Sequence, residues 1–410
     1  MTEPPDQTPT TPHGGDYAPS VAERLYLYQR AGGVIVPLLT TIVAFLIGGL
    51  IVLATGNDPI NAYKGIFKGA GLNWFFPWID EATRAEAEFN LQQTLLGYVT
   101  PLILTGLAVA FAFRCGMFNI GGQGQYIVGA MVSVWVGSSL ASLPGLPHAL
   151  LAIGLAMLAG AAWAGIAGIL KATVGAHEVI TTIMLNWIAI YVGQYLFGQG
   201  GPLQNTANEA VPISNDVVQN VRLPVWWGDP QLQGLHIGFF ISIAALVVYW
   251  AILNRTTLGY EVRAVGYNPE AARYGGISVA RNYFLAMAIA GMFAGLGGAL
   301  DILGWQFRLG SLDIQTSQVG FIGIAVALLG RNTAVGVFLS AMLFGTLLYG
   351  TSTRNIELGE FPPELAGNLT LMIQALVLLF IGADLIVLYI WNLRRKLRRK
   401  PPAEAAEAPA

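Results

Sequence analysis

Residues 92–113 read QQTLLGYVTPLILTGLAVAFAF and contain no charged side chain. A helix needs about 20 mostly apolar residues to cross the hydrocarbon core of a bilayer, which is about 30 Å thick. A charge near the centre of such a helix costs about 2.5–3.5 kcal/mol on insertion scales. A charge-free run of this length is therefore predicted to be a transmembrane helix.

The rest of the chain repeats this pattern. Charged residues make up only 11% of the 410 residues and hydrophobic residues 54%, whereas soluble domains carry about 25% charged residues. Further apolar runs that could span a bilayer lie at residues 32–55, 116–140, 148–170, 179–198, 235–253, 283–303, 317–330, 333–351 and 367–390. Together they predict an all-α polytopic membrane protein with about ten transmembrane helices.

The distribution of Lys and Arg predicts the orientation, because cytoplasmic loops are enriched in both residues. The basic cluster at residues 394–400 is the strongest signal and places the C terminus in the cytoplasm. An even number of spans then places the N terminus, with most of the 21 basic residues, on the same side. Residues 1–31 are predicted to be a disordered cytoplasmic tail, 32–391 the transmembrane domain, and 392–410 a basic and then low-complexity cytoplasmic tail.

The predicted cytoplasmic loop at residues 254–282 contains the signature of a short helix. Asn268 is a favourable N-cap, and Pro269 suits the first helical position. Gly275 or Gly276 could end the helix in a left-handed conformation. A loop helix with both ends specified would suit a docking element for a soluble motor, although such helices also occur as ordinary surface structure.

Two predicted spans are interrupted by glycine and polar residues. Residues 113–131 read FRCGMFNIGGQGQYIVGAM, and residues 317–330 read SQVGFIGIAVALLG. Irregular backbone at membrane depth is tolerated only inside protein or beside a water-filled cavity. Two Gly-interrupted segments in the two halves of a membrane protein indicate an internal inverted repeat around a central site.

Uncharged polar residues lie within or beside these predicted spans. The candidates for lining a substrate pathway are Asn119, Gln123, Gln125, Asn186 and Gln318. Interhelical hydrogen bonding is the simpler explanation for each residue taken alone. Together they predict a neutral polar lining, which suits an uncharged solute that forms hydrogen bonds. Asp301 and Asp384 lie near span ends and are expected to contact water.

Several other functions are disfavoured by what the sequence lacks. Cys115 is the single cysteine and the four histidines have no ligand spacing, so no metal site is predicted. There is no GxxxxGK[ST] phosphate loop and no HExxH or GxSxG motif, so no catalytic residues are predicted. The net charge is −2 and no basic face is evident, which argues against a nucleic-acid partner.

Five segments occur in an order that resembles a known family. They are FRCGMFNIGGQGQ, HEVITTIMLN, TTLGYEVRAVGYNPEAARYGGI, AGMFAGLGGA and GFIGIAVALLGR. They closely resemble permease subunits of bacterial ABC importers in the branched-chain amino acid, ribose and simple-sugar class. Within that class they are most similar to nucleoside permeases that work with a basic-membrane-protein-type binding lipoprotein. The resemblance covers most of residues 32–390.

The resemblance implies a multi-subunit importer in the lipid of the bacterial plasma (inner) membrane. It would contain two permeases, identical or different, two cytoplasmic ABC ATPase subunits and an external substrate-binding lipoprotein. ATP would bind to the ATPase, so this chain would need no cofactor. Residues 32–391 would be the permease domain and 254–282 its coupling loop. The residues expected to couple to the ATPase are Arg263, Gly266, Asn268, Pro269, Glu270, Ala271, Ala272, Arg273 and Gly276.

The leading hypothesis is therefore the permease subunit of an ATP-driven importer of a neutral polar solute, with a nucleoside as its substrate. A simple-sugar permease of the ribose or galactose type has the same build, and a neutral lining suits both. An ion-coupled secondary transporter is an alternative of another class. It predicts buried carboxylates or a sodium site, which the sequence does not suggest. A membrane-embedded enzyme would need a catalytic constellation.

Overall fold

The computed structural model describes residues 21–76, 81–207 and 210–351, with a few positions between 368 and 379. Within these ranges side chains are described except at residues 21–36 and Ala82. Most of the predicted span 367–390, the C-terminal tail and Asp384 lie outside the described residues.

The described chain is mostly helical. Its helices are α1 (Val21–Ala54), α2 (Pro59–Gly69), α3 (Glu81–Thr94), α4 (Thr100–Arg114), α5 (Gly122–Ser139), α6 (Gly145–Val174), α7 (Glu178–Phe197), α8 (Gly238–Arg255), α9 (Thr257–Tyr267), α10 (Pro269–Tyr274), α11 (Val279–Asp301), α12 (Ser311–Thr316), α13 (Val319–Leu329) and α14 (Ala334–Gly350). The first π-turn (Leu95–Val99) joins α3 to α4, and the second π-turn (Ile302–Gln306) follows α11. A two-stranded antiparallel hairpin, β1 (Val225–Trp227) and β2 (Leu235–His236), precedes α8.

Seven helical segments of the described chain are long and apolar enough to cross a membrane. They are Pro37–Ala54, Thr83–Arg114, Gly145–Val174, Glu178–Phe197, Gly238–Arg255, Val279–Gln306 and Ser311–Leu329. They coincide with the spans predicted at 32–55, 92–113, 148–170, 179–198, 235–253, 283–303 and 317–330, and the shorter apolar helix α14 matches 333–351. The all-α polytopic fold is thereby confirmed, whereas the count of ten spans and the side of each terminus stay predictions.

The N-terminal helix is longer than the sequence pattern indicates. Helix α1 begins at Val21, inside the segment predicted to be a tail. The part of α1 that is apolar enough to span a membrane begins only at Pro37. The polar residues before Pro37 lower the mean hydropathy there, so hydropathy alone does not predict this part of the helix.

The predicted span 116–140 differs most from the observed structure. Its helix, α5, begins only at Gly122, and Cys115–Gly121 form a loop before it. Helix α5 falls outside the apolar spanning set because Gln123 and Gln125 lower its hydropathy. Helices α4, α6, α7, α11 and α13 pack around it, and nearly all of its residues are buried. Other helices rather than lipid therefore surround α5.

Helices α5, α6 and α11 approach one another through glycines. A Cβ added to Gly295 would lie 2.4 Å from the carbonyl oxygen of Ala156, and one added to Gly291 would lie 2.1 Å from that of Gly160. A Cβ on Gly129 would lie 2.5 Å from the Cα of Gly295. Small residues permit such close packing in membranes, where helices gain no hydrophobic advantage over lipid. The glycines of the segment AGMFAGLGGA thus make the close helix–helix contacts of α11.

The segment between α7 and α8 packs against the end of α11. The N–H of Leu223 donates to the carbonyl of Leu303 (2.9 Å), and the N–H of Val217 donates to that of Phe307 (2.8 Å). A π-turn departs from the regular helical hydrogen-bond ladder. Backbone groups at and just after the second π-turn are thus satisfied by the α7–α8 segment.

Candidate functional site

The loop before α5 is closed by a pair of amide side chains. Asn119 Nδ2 donates to Gln125 Oε1 (3.0 Å), and Gln125 Nε2 donates to Asn119 Oδ1 (2.9 Å). Both side chains are almost fully buried. The reciprocal bonds satisfy both amides, which would otherwise be costly to bury, and they fix the loop against the first turn of α5.

Gln123 connects this loop region to the second interrupted segment. Its Nε2 donates to the carbonyl of Ser317 (2.9 Å), and its Oε1 accepts from the N–H of Gly320 (2.7 Å). A Cβ on Gly320 would lie 2.2 Å from the backbone nitrogen of Gln123, so only glycine allows this approach. The two interruptions predicted from the sequence therefore meet in space.

Asn186 joins α7 to the same region. Its Oδ1 accepts from the N–H of Gly124 (2.8 Å), and its Nδ2 donates to the carbonyl of Ile120 (3.0 Å). A Cβ on Gly124 would lie 2.9 Å from Asn186 Oδ1. Asn119, Gln123, Gln125 and Asn186 each fix the loop before α5 or the first turn of α5, and together they are here termed the amide clamp.

Gln318, the fifth predicted pathway residue, is placed differently. It precedes α13 and is exposed, although the adjoining Ser317 and Gly320 both bond to the clamp. The bonds of the clamp are those expected of interhelical hydrogen bonding. A role of these residues in lining a pathway stays a prediction.

The predicted loop helix is present as α10. Asn268 Oδ1 accepts from the N–H groups of Glu270 (3.0 Å) and Ala271 (3.1 Å), and Pro269 begins the helix. The following Gly276 has a positive φ of 82°. Ala272 is buried, whereas Ala271 and Arg273 are exposed. Both helix ends thus follow the sequence-based expectation.

Helix α9 connects α10 to the loop before α5. At Gly266, an added Cβ would lie 2.3 Å from the carbonyl oxygen of Arg114. Across the same contact, Gly116 has a positive φ of 76°, and its Cβ would lie 3.3 Å from the Cα of Gly266. Arg263 lies on the same helix, and its Nε donates to the carbonyl of Gly259 (3.2 Å). The loop helix and the amide clamp are therefore joined by close backbone packing.

Two exposed tyrosines at the ends of α10 were not predicted from the sequence. Tyr267 is 89% exposed and Tyr274 is 94% exposed, and they flank α10 at its two ends. Interface centres are enriched in tyrosine, so these side chains extend the candidate docking surface. Their positions, directly before the N-cap and at the helix end, were signal enough to find them.

Asp301 corrects another expectation. It was expected to contact water, but it is only 4% exposed. Its carboxylate accepts hydrogen bonds from the Tyr126 hydroxyl and from Trp305 Nε1 (2.6 Å). Folding brings the α7–α8 segment over this end of α11, which hydropathy could not indicate. The polar interior is therefore neutral at the amide clamp but contains a carboxylic acid at Asp301.

His236 is a buried ionisable group outside the membrane spans. Its Nδ1 accepts from the N–H of Gly238 (2.9 Å), and its ring lies against Gly304. Burial lowers the pKa of His236 from 6.5 to about 4. As the pH falls, the unfolded state binds this proton first, so folding stability decreases from about pH 6.5 to about pH 4.

We therefore expect the unfolding temperature of the purified protein to fall across that pH interval, and the slope to be smaller in His236→Asn. Asparagine can still accept from the N–H of Gly238 but does not titrate. His177→Gln, at an exposed position, is the matched control and should keep the wild-type slope. Equal slopes in His236→Asn and the wild type would contradict the assignment.

The fold and site define a class of protein: a polytopic transport subunit with a short capped loop helix and a polar, glycine-packed interior. Residues 92–382 match the family described as the branched-chain amino acid transport system, permease component. The chain belongs to this family. It is therefore a multi-pass membrane protein, a transport component rather than an enzyme, and it works with an ATPase and other transporter components.

Individual relatives agree with this assignment. The chain is 36% identical over 382 residues to the guanosine ABC transporter permease protein NupP of Bacillus subtilis, covering 91% of this chain and 99% of the relative. It is 35% identical over 360 residues to the nucleoside ABC transporter permease protein NupB of Lactococcus lactis, covering 86% and 92%. It is also 35% identical over 352 residues to the glucose ABC transporter permease protein TsgB13 of Haloferax volcanii, covering 84% and 86%.

Proposed function

We propose that this chain forms the translocation pathway for a nucleoside in an ATP-driven importer of the bacterial plasma membrane. The observation that carries the proposal is the similarity to a guanosine permease over almost the whole of both chains. A hydrogen-bonding interior that is neutral at the amide clamp supports it, because nucleosides are uncharged and rich in donors and acceptors. A glucose-type sugar is the second candidate, and the similarity to the glucose permease favours it.

In this proposal the ATPase docks on α10. The docking helix is formed or ended by Asn268, Pro269, Glu270, Ala271, Ala272, Arg273 and Gly276. Helix α9, which supports it, contains Arg263 and Gly266. Displacement of α10 would move α9 as one unit with it. Because Gly266 packs on Arg114 and Gly116, the loop before α5 would follow. The amide clamp would then rearrange and open or close the pathway.

The remaining partners follow from the class of transporter. A second permease, identical or different, would complete the pathway, and an external lipoprotein would deliver the substrate. ATP would bind only to the ATPase subunits. The clamp residues and Gln318 would line the pathway in the conformations where the two interrupted segments separate.

Uptake competition tests the substrate. Cells that carry the complete importer would be given labelled guanosine together with an excess of unlabelled uridine, ribose, galactose or glucose. We expect unlabelled guanosine to suppress uptake, uridine to compete if the site accepts nucleosides broadly, and the sugars to have no effect. A strain lacking this chain is the control. Uptake of labelled glucose that guanosine does not suppress would favour the sugar importer instead.

A further inference from the structure

Asp301 is a buried carboxylate that the coupling pathway does not use. Its Oδ1 accepts from Trp305 Nε1 (2.6 Å), and its Oδ2 accepts from the Tyr126 hydroxyl and, at a long 3.5 Å, from Gln306 Nε2. These donors are all neutral. The ion pairs found among the described residues join Lys171 to Glu178 and Arg308 to Asp216, so neither involves Asp301.

The position of Asp301 indicates a function rather than a contribution to stability. Burying a carboxylate without a cation raises its free energy, and ionisable groups within membrane spans mark functional sites by default. A carboxylate has about four lone-pair sites. The three donors leave one site open, and the long bond from Gln306 is readily exchanged. Asp301 can therefore accept further hydrogen bonds from a ligand.

The surroundings of Asp301 are unusual in backbone as well as in charge. Asp301 is the last residue of α11 and leads directly into the second π-turn. The first π-turn faces it, since a Cβ on Gly97 would lie 3.8 Å from the Trp305 ring. π-turns within helices occur frequently at functional sites. Here two of them, from the two halves of the chain, meet beside one buried acid.

Aromatic rings border the same point. Tyr98 follows Gly97 in the first π-turn, and its ring is 6.0 Å from that of Tyr349. Among the described residues that border the site, Tyr98, Trp305 and Gln306 are each only half-buried, so part of each side chain is accessible. Gln233 is an exposed residue between the two strands of the hairpin, and its Nε2 donates to the carbonyl of Trp305 (3.2 Å). Because Asp301 is only 4% exposed, a planar ligand would reach it beside these rings by displacing the side chain of Gln306.

We propose that Asp301, Trp305 and Tyr98 form a substrate-recognition site at the end of α11 opposite the docking helix. Its ligand presents two adjacent N–H or O–H donors to the carboxylate and a flat face to the rings. This inference rests on the proposed nucleoside function and names where the nucleoside is recognised. Two parts of guanosine offer that chemistry: the N1–H and 2-amino edge of guanine, and the ribose diol.

The test uses the complete importer in proteoliposomes, with saturating binding protein and ATP. Uptake of guanosine, inosine and 2′,3′-dideoxyguanosine is compared between the wild type and Asp301→Asn. Inosine lacks the 2-amino group, and the dideoxy compound lacks the diol. We expect Asp301→Asn to slow guanosine uptake by about tenfold or more, since hydrogen bonds to a charged group contribute about 1.5–3 kcal/mol.

The variant should also lose a preference that the wild type shows. Loss of discrimination against inosine places the base edge on Asp301, and loss of discrimination against the dideoxy compound places the ribose there. A merely structural role would slow all three nucleosides equally and leave both preferences intact. That result, or an unchanged rate, overturns the proposal.

Asp216→Asn is the matched control, because it removes a carboxylate from an exposed pair with Arg308 and should transport like the wild type. Co-purification with the ATPase subunits shows whether each variant assembles. If Asp301→Asn does not assemble, Trp305→Leu decides: the proposal requires slower guanosine uptake and altered nucleoside preference, and unchanged values contradict it. A wild-type importer that moves no nucleoside would instead refute the proposed function.

Discussion

Replacing Asn268 with proline is expected to reduce ATP-driven uptake to background while the external binding protein still binds its substrate. Asn268 has φ −159°, far from the φ of about −65° that proline requires. The change removes two N-cap hydrogen bonds and the bond from the Asn268 N–H to the carbonyl of Ala264 (3.1 Å). An N-cap alone contributes about 1 kcal/mol, which is large for a helix of six residues.

A graded series at this position separates docking from general damage. Asn268→Asp preserves a good N-cap acceptor and should transport nearly as well as the wild type. Asn268→Ala removes only the N-cap hydrogen bonds, and its uptake rate should lie between those of Asn268→Asp and Asn268→Pro. Uptake rates and ATPase activity would be measured on the reconstituted importer, with membrane abundance checked for each variant. Normal uptake by Asn268→Pro at normal abundance would exclude α10 as the docking element.

Replacing Gly266 with valine is expected to have an effect of similar size at a different point. The new Cβ would lie 2.3 Å from the carbonyl oxygen of Arg114, so α9 could not stay packed on the loop before α5. The docking helix itself would keep its caps. We therefore expect an importer that still assembles with its ATPase and hydrolyses ATP, but whose hydrolysis no longer drives uptake.

Gly154→Val is the matched control for that variant. Gly154 lies on α6, and no described atom of a neighbouring element lies within 4 Å of its added Cβ. This change should leave uptake within about twofold of the wild type, as expected for a position without special contacts. If Gly266→Val transported normally, force would have to reach the interior by another route.

Local rules predicted the parts of this fold that depend on neighbours in sequence. The charge-free run at 92–113 is a membrane-spanning helix, now seen to continue back to Thr83 through the first π-turn. Helix α10 has the N-cap and first residue that Asn268 and Pro269 indicate. In each case the stabilising groups lie within a few residues of one another, so the sequence pattern carries the information.

The candidate site depended on partners far apart in the chain, which one sequence does not show. The two interruptions were visible, but the bond from Gln123 to Ser317 joins positions 194 residues apart. The buried carboxylate of Asp301 is bonded to the hydroxyl of Tyr126, 175 residues away in the chain. The contact between Gly116 and Gly266 likewise needed the packed structure. Long-range packing, rather than local propensity, decided these features.

The central claim is that this chain moves a solute only when an ATPase acts on its docking helix. The most direct measurement is labelled-guanosine uptake by proteoliposomes that hold the chain with its second permease, ATPase subunits and binding protein. The account predicts accumulation with ATP, and none with a non-hydrolysable analogue or without the ATPase. Accumulation by vesicles holding this chain alone, driven by a sodium or proton gradient without nucleotide, would contradict it.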